Sequence, residues 1–518
     1  MNSADSFFIA PLASLSHRRE KGMGFLRASN GGQVGCRFVL EQEAYGEISL
    51  RCLLDTVQCD AWHNRPRSDD WFADHKSLTI DLETESGYQV ENLNIYSTGG
   101  ITNGQRQSYE FDLGSLDLRR TGKRPDERPV AFAEFSIVNY QVEGSNACVR
   151  FSDMWRWEND VIALRLGDSE CWLRPVKGAS DIIKKLEASK GIDVTATFML
   201  PLNSLDEWNA IENCVDNLCT VLTLLSGNRV TWISARAIDS WGYAIRERWR
   251  NSVTNPYTTH DVLNTLTNDR IHHRAFTSSY VPIIEQMWSR FDEAEAKWNI
   301  RAAINTWHET VVSDHFLEQQ GLLVAACMEM LRTRYLKNGG RDTILGGELF
   351  DKSKNKVGRE LKKILKACFP AGEDWTEEET HAHKKNLFLM YSHVKSLNYF
   401  PFAESLKQMA QKLNMAAFDR EGPADTIERR WSQVPLNQSD MSPDAIECSI
   451  KCFVHIRDHL THQGAYILTA DDRADEDRES SGAERVRQLQ FLQCFTSAFL
   501  CSVLGWSQPL PAALSLPE

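Results

Sequence analysis

No stretch of this 518-residue chain approaches the run of about 18 apolar residues that a membrane-spanning helix needs. The one apolar patch near the start, 7–15, follows Asp5 instead of a basic segment and is broken by Pro11, so no secretory signal is expected. Three further absences narrow the chemistry. There is no GxxxxGK[ST] phosphate loop, no GxGxxG following a strand, and no GxSxG elbow, which removes the usual marks of nucleotide-loop enzymes and α/β-hydrolases. Basic residues are the minority, 58 against 71 acidic, for a formal charge of −13. That balance disfavours a protein that coats nucleic acid or membrane non-specifically, and it leaves a local basic site open. Thirteen cysteines form no short-range framework. Cys214 with Cys219, and Cys448 with Cys452, have no second pair at zinc-ribbon spacing. Buried free thiols in a cytoplasmic protein are the better account.

What is present is ordinary for a globular chain, 42% hydrophobic and 25% charged, with length for two to four domains. Texture changes near residue 200. Before it come short alternating runs, at 37–40, 47–54, 77–82, 107–113, 130–142, 148–151, 161–166 and 194–199, separated by turn-forming clusters such as 97–104 and 121–129. These predict a β-rich sandwich or barrel with one short helix at 181–189. After it the period is helical. Ser204 caps a predicted helix that Gly227 closes, and a strand-like stretch, 229–237, interrupts. Helices are then expected at 259–269, 282–298, 300–312, 315–337, 357–367, 376–396, 403–413, 443–462 and 483–506, with 470–485 as a polar loop. The fold class is multi-domain α+β: a β-rich N-terminal domain (1–200), a mostly helical connecting region (201–298) and an all-α C-terminal bundle (299–510).

The segment from Ile450 to Ala465 carries the chemistry. Ile450, Phe453, Ile456 and Leu460 recur at helical spacing as a core face, and Gly464 is a natural stop. The helix end therefore carries Arg457, Asp458, His459 and His462. Arginine supplies a permanent charge and forked donors for a phosphate, and histidine takes or gives a proton near neutrality. Together they suffice for metal-free RNA cleavage. A base removes the 2′-hydroxyl proton, the oxygen attacks the adjacent phosphate, and a cation stabilises the added charge. The R-x4-H spacing alone has low specificity; Arg301 and His308 form a rival R-x6-H match, read as a solvated or core-rim helix face.

The run FVHIRDHLTH resembles the signature of HEPN domains: an apolar helical run, Arg, a polar residue, then His. The predicted helix 315–337 resembles the earlier long helix of that family, with Glu329 where an acidic residue often stands. A β-rich half followed by such a unit resembles the ApeA-type abortive-infection proteins of bacteria. The resemblance implies a metal-independent, cofactor-free ribonuclease that works as a homodimer through its helical domain, with two motifs facing across a shared cleft. Arg457 would stabilise the scissile phosphate, His462 would be the general base or acid, and Asp458 would orient one of them, with Glu329 and His459 in support. It further implies RNA, tRNA among the candidates, as substrate, 2′,3′-cyclic phosphate and 5′-hydroxyl products, and growth arrest as the outcome. The N-terminal half would sense a phage component or restrain the nuclease. Five helical positions turn through about 500°, so Arg457 and His462 point about 140° apart; a long Arg can bend round, or a dimer can place one subunit's Arg beside the other's His.

Other readings stay open. His455, His459 and His462 share one helix face and could bind zinc, although the zincin glutamate is absent, Ile456 standing in its place. The helical unit could also be a non-catalytic scaffold for a protein or nucleic-acid partner. Between Arg332 and Lys366 eleven basic residues face four acidic ones. Within that window Lys352, Lys354, Lys356 and Arg359 are candidates to track an RNA backbone, against the alternative of a solvated surface. Trp155, Trp157 and Trp172 read as core, and His381 and His383 as part of a charged helix start.

Overall fold

The computed structural model describes residues 17–27, 33–43, 46–54, 79–103, 106–121, 130–142, 145–151, 154–167, 169–189, 192–239, 243–251, 273–312, 315–340, 356, 359–360, 363–364, 366–368, 370, 376–392, 401–417, 443–467, 478–506 and 509–510. The N-terminal region is a β-barrel and the C-terminal region is helical.

Strand β1 (His17–Arg27) pairs with β2 (Gln33–Glu43), and β2 with β3 (Ile48–Leu54). On its other side β1 pairs with β4 (Thr79–Thr84), which leads through β5 (Tyr88–Asn103) to β6 (Arg106–Arg120). Strand β6 then returns to β3, closing six antiparallel strands and leaving the barrel no free edge. Closure follows from alternation: Ile48, Leu50, Cys52 and Leu54 all point inward, against Phe38, Leu82, Phe111 and Leu113. Gly22 and Gly24 sit where β1 crosses β4. A Cβ at Gly22 would meet the Glu83 carbonyl and the Phe38 ring, and one at Gly24 the Asp81 carbonyl and Leu82.

Strand β6 belongs to two structures at once. Its first half pairs with β3, and its second half pairs with β13 (Ala244–Arg250). From β13 an antiparallel sheet continues through β12 (Thr231–Asp239), β7 (Val130–Val138), β11 (Val194–Pro201), β10 (Ser169–Pro175), β9 (Met154–Leu166) and β8 (Ser145–Phe151). The junction is charged. Buried Asp117 of β6 accepts from Arg248 at 2.6 and 2.8 Å, from Arg246 at 2.9 Å and from Asn92 at 2.7 Å, while Arg248 also pairs with Glu212.

Helix α1 (Ala179–Ser189) lies against β11. Helix α2 (Trp208–Ser226) follows a 3₁₀ turn, Leu205–Glu207; Ser204 caps that turn by accepting the Asp206 N–H at 3.2 Å, and Gly227 ends the helix at φ 70°. Then come α3 (His273–Ser289), α4 (Phe291–Trp298), α5 (Ile300–Val312), α6 (Leu317–Lys337), α7 (Glu377–Ser392), α8 (Phe402–Lys412), α9 (Pro443–Gln463) and α10 (Arg478–Val503). Helix α2 packs on β12 and also on α3 and α5, and α5, α6 and α10 pack together with α9 against them. One hydrophobic core therefore runs from the sheet (Phe135, Phe198, Trp232) through α2 and α3 (Trp208, Trp288) to the bundle (Trp307, Phe453, Phe495). Phe198 meets Trp288 edge-on at 5.8 Å across that boundary.

Several elements differ from expectation. The stretch 97–104, expected as a turn, is largely strand, because β5 carries its two glycines along β6 without breaking the pairing. The helix expected over 282–298 is split at Arg290. Helix α10 begins at Arg478, inside the segment expected as a loop. The C-terminal region is also not purely helical: Ala416–Ala417 (β14) pairs in parallel with Pro509–Leu510 (β15). The helix expected at 259–269 lies outside the described residues. Among the described residues no helix is long and apolar enough to cross a membrane.

Candidate functional site

Helix α9 buries the face read from its spacing: Ile450, Phe453, Ile456 and Leu460 are all at most 2% exposed. Phe453 stacks on Phe495 of α10 at 4.4 Å between ring centres. Gly464 ends the helix at φ 70°, its N–H donating to the Leu460 carbonyl at 2.9 Å. The same end is pinned to α6. Tyr466 donates its hydroxyl proton to the Leu317 carbonyl at 2.9 Å, and Gly321 leaves room for it: a Cβ there would lie 2.5 Å from the Tyr466 hydroxyl and 2.7 Å from Leu460. The backbone under the arginine and histidines is thus held from two sides.

Onto this support the structure brings Arg457, Asp458 and Glu329 into one constellation. Arg457 donates to Asp458 at 2.6 Å, and its guanidinium lies 4.6 Å from the centre of the Phe402 ring at the start of α8. Arg332 of α6 lies 5.5 Å from the same ring and donates to Glu329 at 2.8 Å. Two guanidiniums therefore share one aromatic platform, each beside one carboxylate. The buried Nε of Arg457, Nε of Arg332 and one oxygen of Glu329 have no hydrogen-bond partner among the described residues, so the constellation holds donors and an acceptor in reserve. Phe402 and Arg332 were not singled out from sequence; the segment following Pro401 offered no motif that would mark the ring as a platform.

The histidines are placed differently. His459 donates its Nδ1 proton to the Ala465 carbonyl at 2.7 Å. His462 is exposed in the last turn of α9, where a cation is favoured by the helix dipole, and no hydrogen bond or ion pair joins it to another described residue. Arg457 and His462 are not brought together within one chain. His455 is exposed, and among the described residues no group of three or more His, Cys, Asp or Glu side chains is arranged to hold a metal.

Lys352 and Lys354 lie outside the described residues; Lys356 and Arg359 are helical and exposed. Trp172 is 4% exposed and packs on Phe132, so it is core, while the side chains of Trp155 and Trp157 lie outside the described residues. His381 and His383 follow a helix start built as a capping box. Thr376 accepts the Glu379 N–H at 3.2 Å, and Glu379 accepts the Thr376 N–H at 2.8 Å. The described cysteines are free and most are buried; burial pushes the Cys171, Cys214 and Cys327 thiols up to about 12, leaving them inert at neutral pH.

Arg301 and His308, read as a solvated or core-rim helix face, lie on the core side of that choice, Arg301 half-buried and His308 fully buried. Arg301 is engaged with α2, donating to Asn217 at 2.5 Å and to Thr220 at 3.2 Å. His308 is completely buried, and neither ring nitrogen has a hydrogen-bond partner among the described residues. Burial and then the charge of Arg229 push its pKa from 6.5 down to about 3, against a smaller opposing contribution from the Gly227 backbone. The folded chain thus keeps His308 neutral where the unfolded chain protonates it. Stability contributed by this group is complete above pH 6.5 and falls as pH drops toward 3, by about 2 kcal/mol between pH 7 and pH 5. His308→Leu should flatten the fall in Tm between those two pH values by the corresponding amount; an unchanged slope would remove His308 from the account.

No family model, no curated protein and no solved structure matches this chain.

Proposed function

We propose that the chain is a metal-independent endoribonuclease of the HEPN type, acting as a homodimer through the exposed end of α9, in an ApeA-like defence protein that arrests growth when triggered. The observation that carries this reading is the division of labour along α9. Arg457 is aligned by Asp458 and Phe402 in a half-buried position, and His462 stands exposed with no described partner in its own chain. A permanent cation and an unengaged imidazole on one helix end are the two groups that 2′-hydroxyl attack requires.

In this mechanism His462 takes the 2′-hydroxyl proton, and the oxygen attacks the neighbouring phosphorus. Arg457 meets the charge that builds on the phosphoryl oxygens, its positive end steadied by Asp458 so that little reorganisation is needed as charge develops. Departure of the 5′-oxygen, protonated by an imidazolium, leaves a 2′,3′-cyclic phosphate and a 5′-hydroxyl. Arg332, held by Glu329, shares the Phe402 platform with Arg457 and would help to position it without touching substrate. Lys356 and Arg359, exposed and helical, are in keeping with a surface that follows the RNA backbone, and the β-rich half would carry the trigger or the restraint.

The test is cleavage of total RNA by the full chain, by His462→Ala and by Arg457→Ala, each with and without EDTA. Loss of about 10²–10⁴-fold in His462→Ala with an unchanged Tm, and cleavage indifferent to EDTA, is the expected result. Cleavage that survives in both variants, or that EDTA abolishes, overturns it.

A further inference from the structure

A cavity of about 300 Å³ opens where the sheet meets the bundle, lined by β12, β13, α2 and α5. Three arginines reach it from three places: Arg250 from the end of β13, Arg229 from the turn after α2, and Arg301 from α5. Their partners differ in kind. Arg250 is neutralised and anchored, pairing with Asp216 at 2.8 Å, donating to the Trp232 carbonyl at 2.8 Å and stacking 3.7 Å from the Trp232 ring centre. Arg229 donates to the Asn305 side-chain oxygen at 2.6 Å, and Arg301 to the Asn217 and Thr220 oxygens. Those acceptors are uncharged. Among the lining residues Asp216 is the one carboxylate against three guanidiniums, and its Oδ1 already receives Arg250 at 2.8 Å and the Trp232 N–H at 2.9 Å.

The other nearby acids lie outside the lining. Glu309 acts on Arg229 from outside the lining, Glu295 accepts the Arg301 backbone N–H at 2.8 Å, and Asp292 is held by Asn217 at 2.7 Å. Burial lowers the pKa of Arg229; the charge of Glu309 raises it, and the charge of Arg301, a smaller effect, lowers it again, so the two guanidiniums at the cavity feel each other's charge. Two forked donors held together at that cost are an arrangement that an anion relieves.

The geometry points to a binding site for a small phosphate-bearing molecule, its phosphate gripped between Arg229 and Arg301 with Asn305 and Thr220 at hand. The excess of two positive charges in the lining matches a phosphate monoester dianion. The volume is larger than a lone ion requires and stands at the lower bound of ligand pockets, which run from about 300 to 1,000 Å³, so a sugar phosphate is the class that fits. Arg229 follows the end of α2 and Arg301 belongs to α5, so an occupant would tie those two helices together. This site is separate from the α9 constellation and does not depend on nuclease activity.

Calorimetric titration of the full chain at constant ionic strength would use inorganic phosphate, pyrophosphate and ribose 5-phosphate, with succinate as the carboxylate control. Asn305→Asp places a carboxylate against Arg229 without adding bulk, so it should hold Tm at or above that of the wild type while weakening ribose 5-phosphate binding at least about tenfold. Arg229→Gln, which removes one guanidinium and keeps a donor for Asn305, should weaken it similarly and serves if Asn305→Asp does not fold. His462→Ala should bind as the wild type does. Saturable phosphate binding that both cavity variants lose supports the site. Absence of saturable binding to all three phosphates, unchanged affinity in the cavity variants, or succinate binding as tightly overturns it.

Discussion

On the proposed shared-cleft mechanism, mixing the Arg457→Ala and His462→Ala chains should restore RNA cleavage to about one quarter of the wild-type rate, although each variant alone should be inactive. The figure follows from geometry. About 140° of helix rotation separates Arg457 from His462, and Arg457 is turned onto Phe402 and Asp458. If each site takes its arginine from one subunit and its histidine from the other, a mixed dimer has one site lacking both groups and one complete site. Random assortment makes about half of the dimers mixed, each with one of two sites intact. A site contained within one chain gives no recovery at any mixing ratio. The experiment needs co-expression or a shared refolding step so that subunits exchange, and size-exclusion chromatography of each variant shows that dimers form. Dimers that assemble without recovery would sink the shared-cleft mechanism while leaving both residues open to roles within one chain.

The elements behind that prediction were legible in sequence to unequal degrees. The α9 face, its glycine stop and α5 were read from periodicity nearly to the residue, because a buried stripe and a positive-φ stop leave local marks. Strand β1 was missed because HRREKGMGFLR alternates poorly; its glycines answer to neighbours on β2 and β4 that are distant in sequence. Strand β13 was missed for a related reason. Its alternating arginines, Arg246 and Arg248, look like a solvated segment until Asp117 and Glu212 are brought to them.

The site divides the same way. Arg457, Asp458 and His462 lie within six residues and form a motif, whereas Phe402 and Arg332 join them only through the packing of α6, α8 and α9. The cavity arginines, 229, 250 and 301, span more than seventy positions and share no spacing. His308 reads in sequence as half of a rival R-x6-H match or as part of a solvated or core-rim helix face, and the structure places it deeper than a rim. It is an uncharged histidine inside the core.

The junction of barrel and sheet supplies the largest stability effect. Asp117 is 1% exposed and receives Arg246, Arg248 and Asn92. Burial alone would raise its pKa, but the hydrogen bonds from Arg248 and Asn92 and the charges of both arginines outweigh it and hold the carboxyl below its usual range. Its contribution is therefore present above the unfolded carboxylate pKa and is lost as pH falls through the lower folded value. Asp117→Ala leaves two guanidiniums facing a gap. Glu212 can satisfy only Arg248, so Arg246, which also lies 5.2 Å from the Trp208 ring centre, keeps no described carboxylate. Removing one partner of a buried pair in this way costs roughly 3–5 kcal/mol. Replacing Asp117 with Leu and both arginines with Met together should recover most of that loss, because no uncompensated charge then remains except Glu212, whose pKa burial already raises. Urea unfolding of the single and triple variants separates the two contributions. A loss below about 1 kcal/mol in Asp117→Ala would mean that water reaches this junction and that the barrel is not locked to the sheet through Asp117.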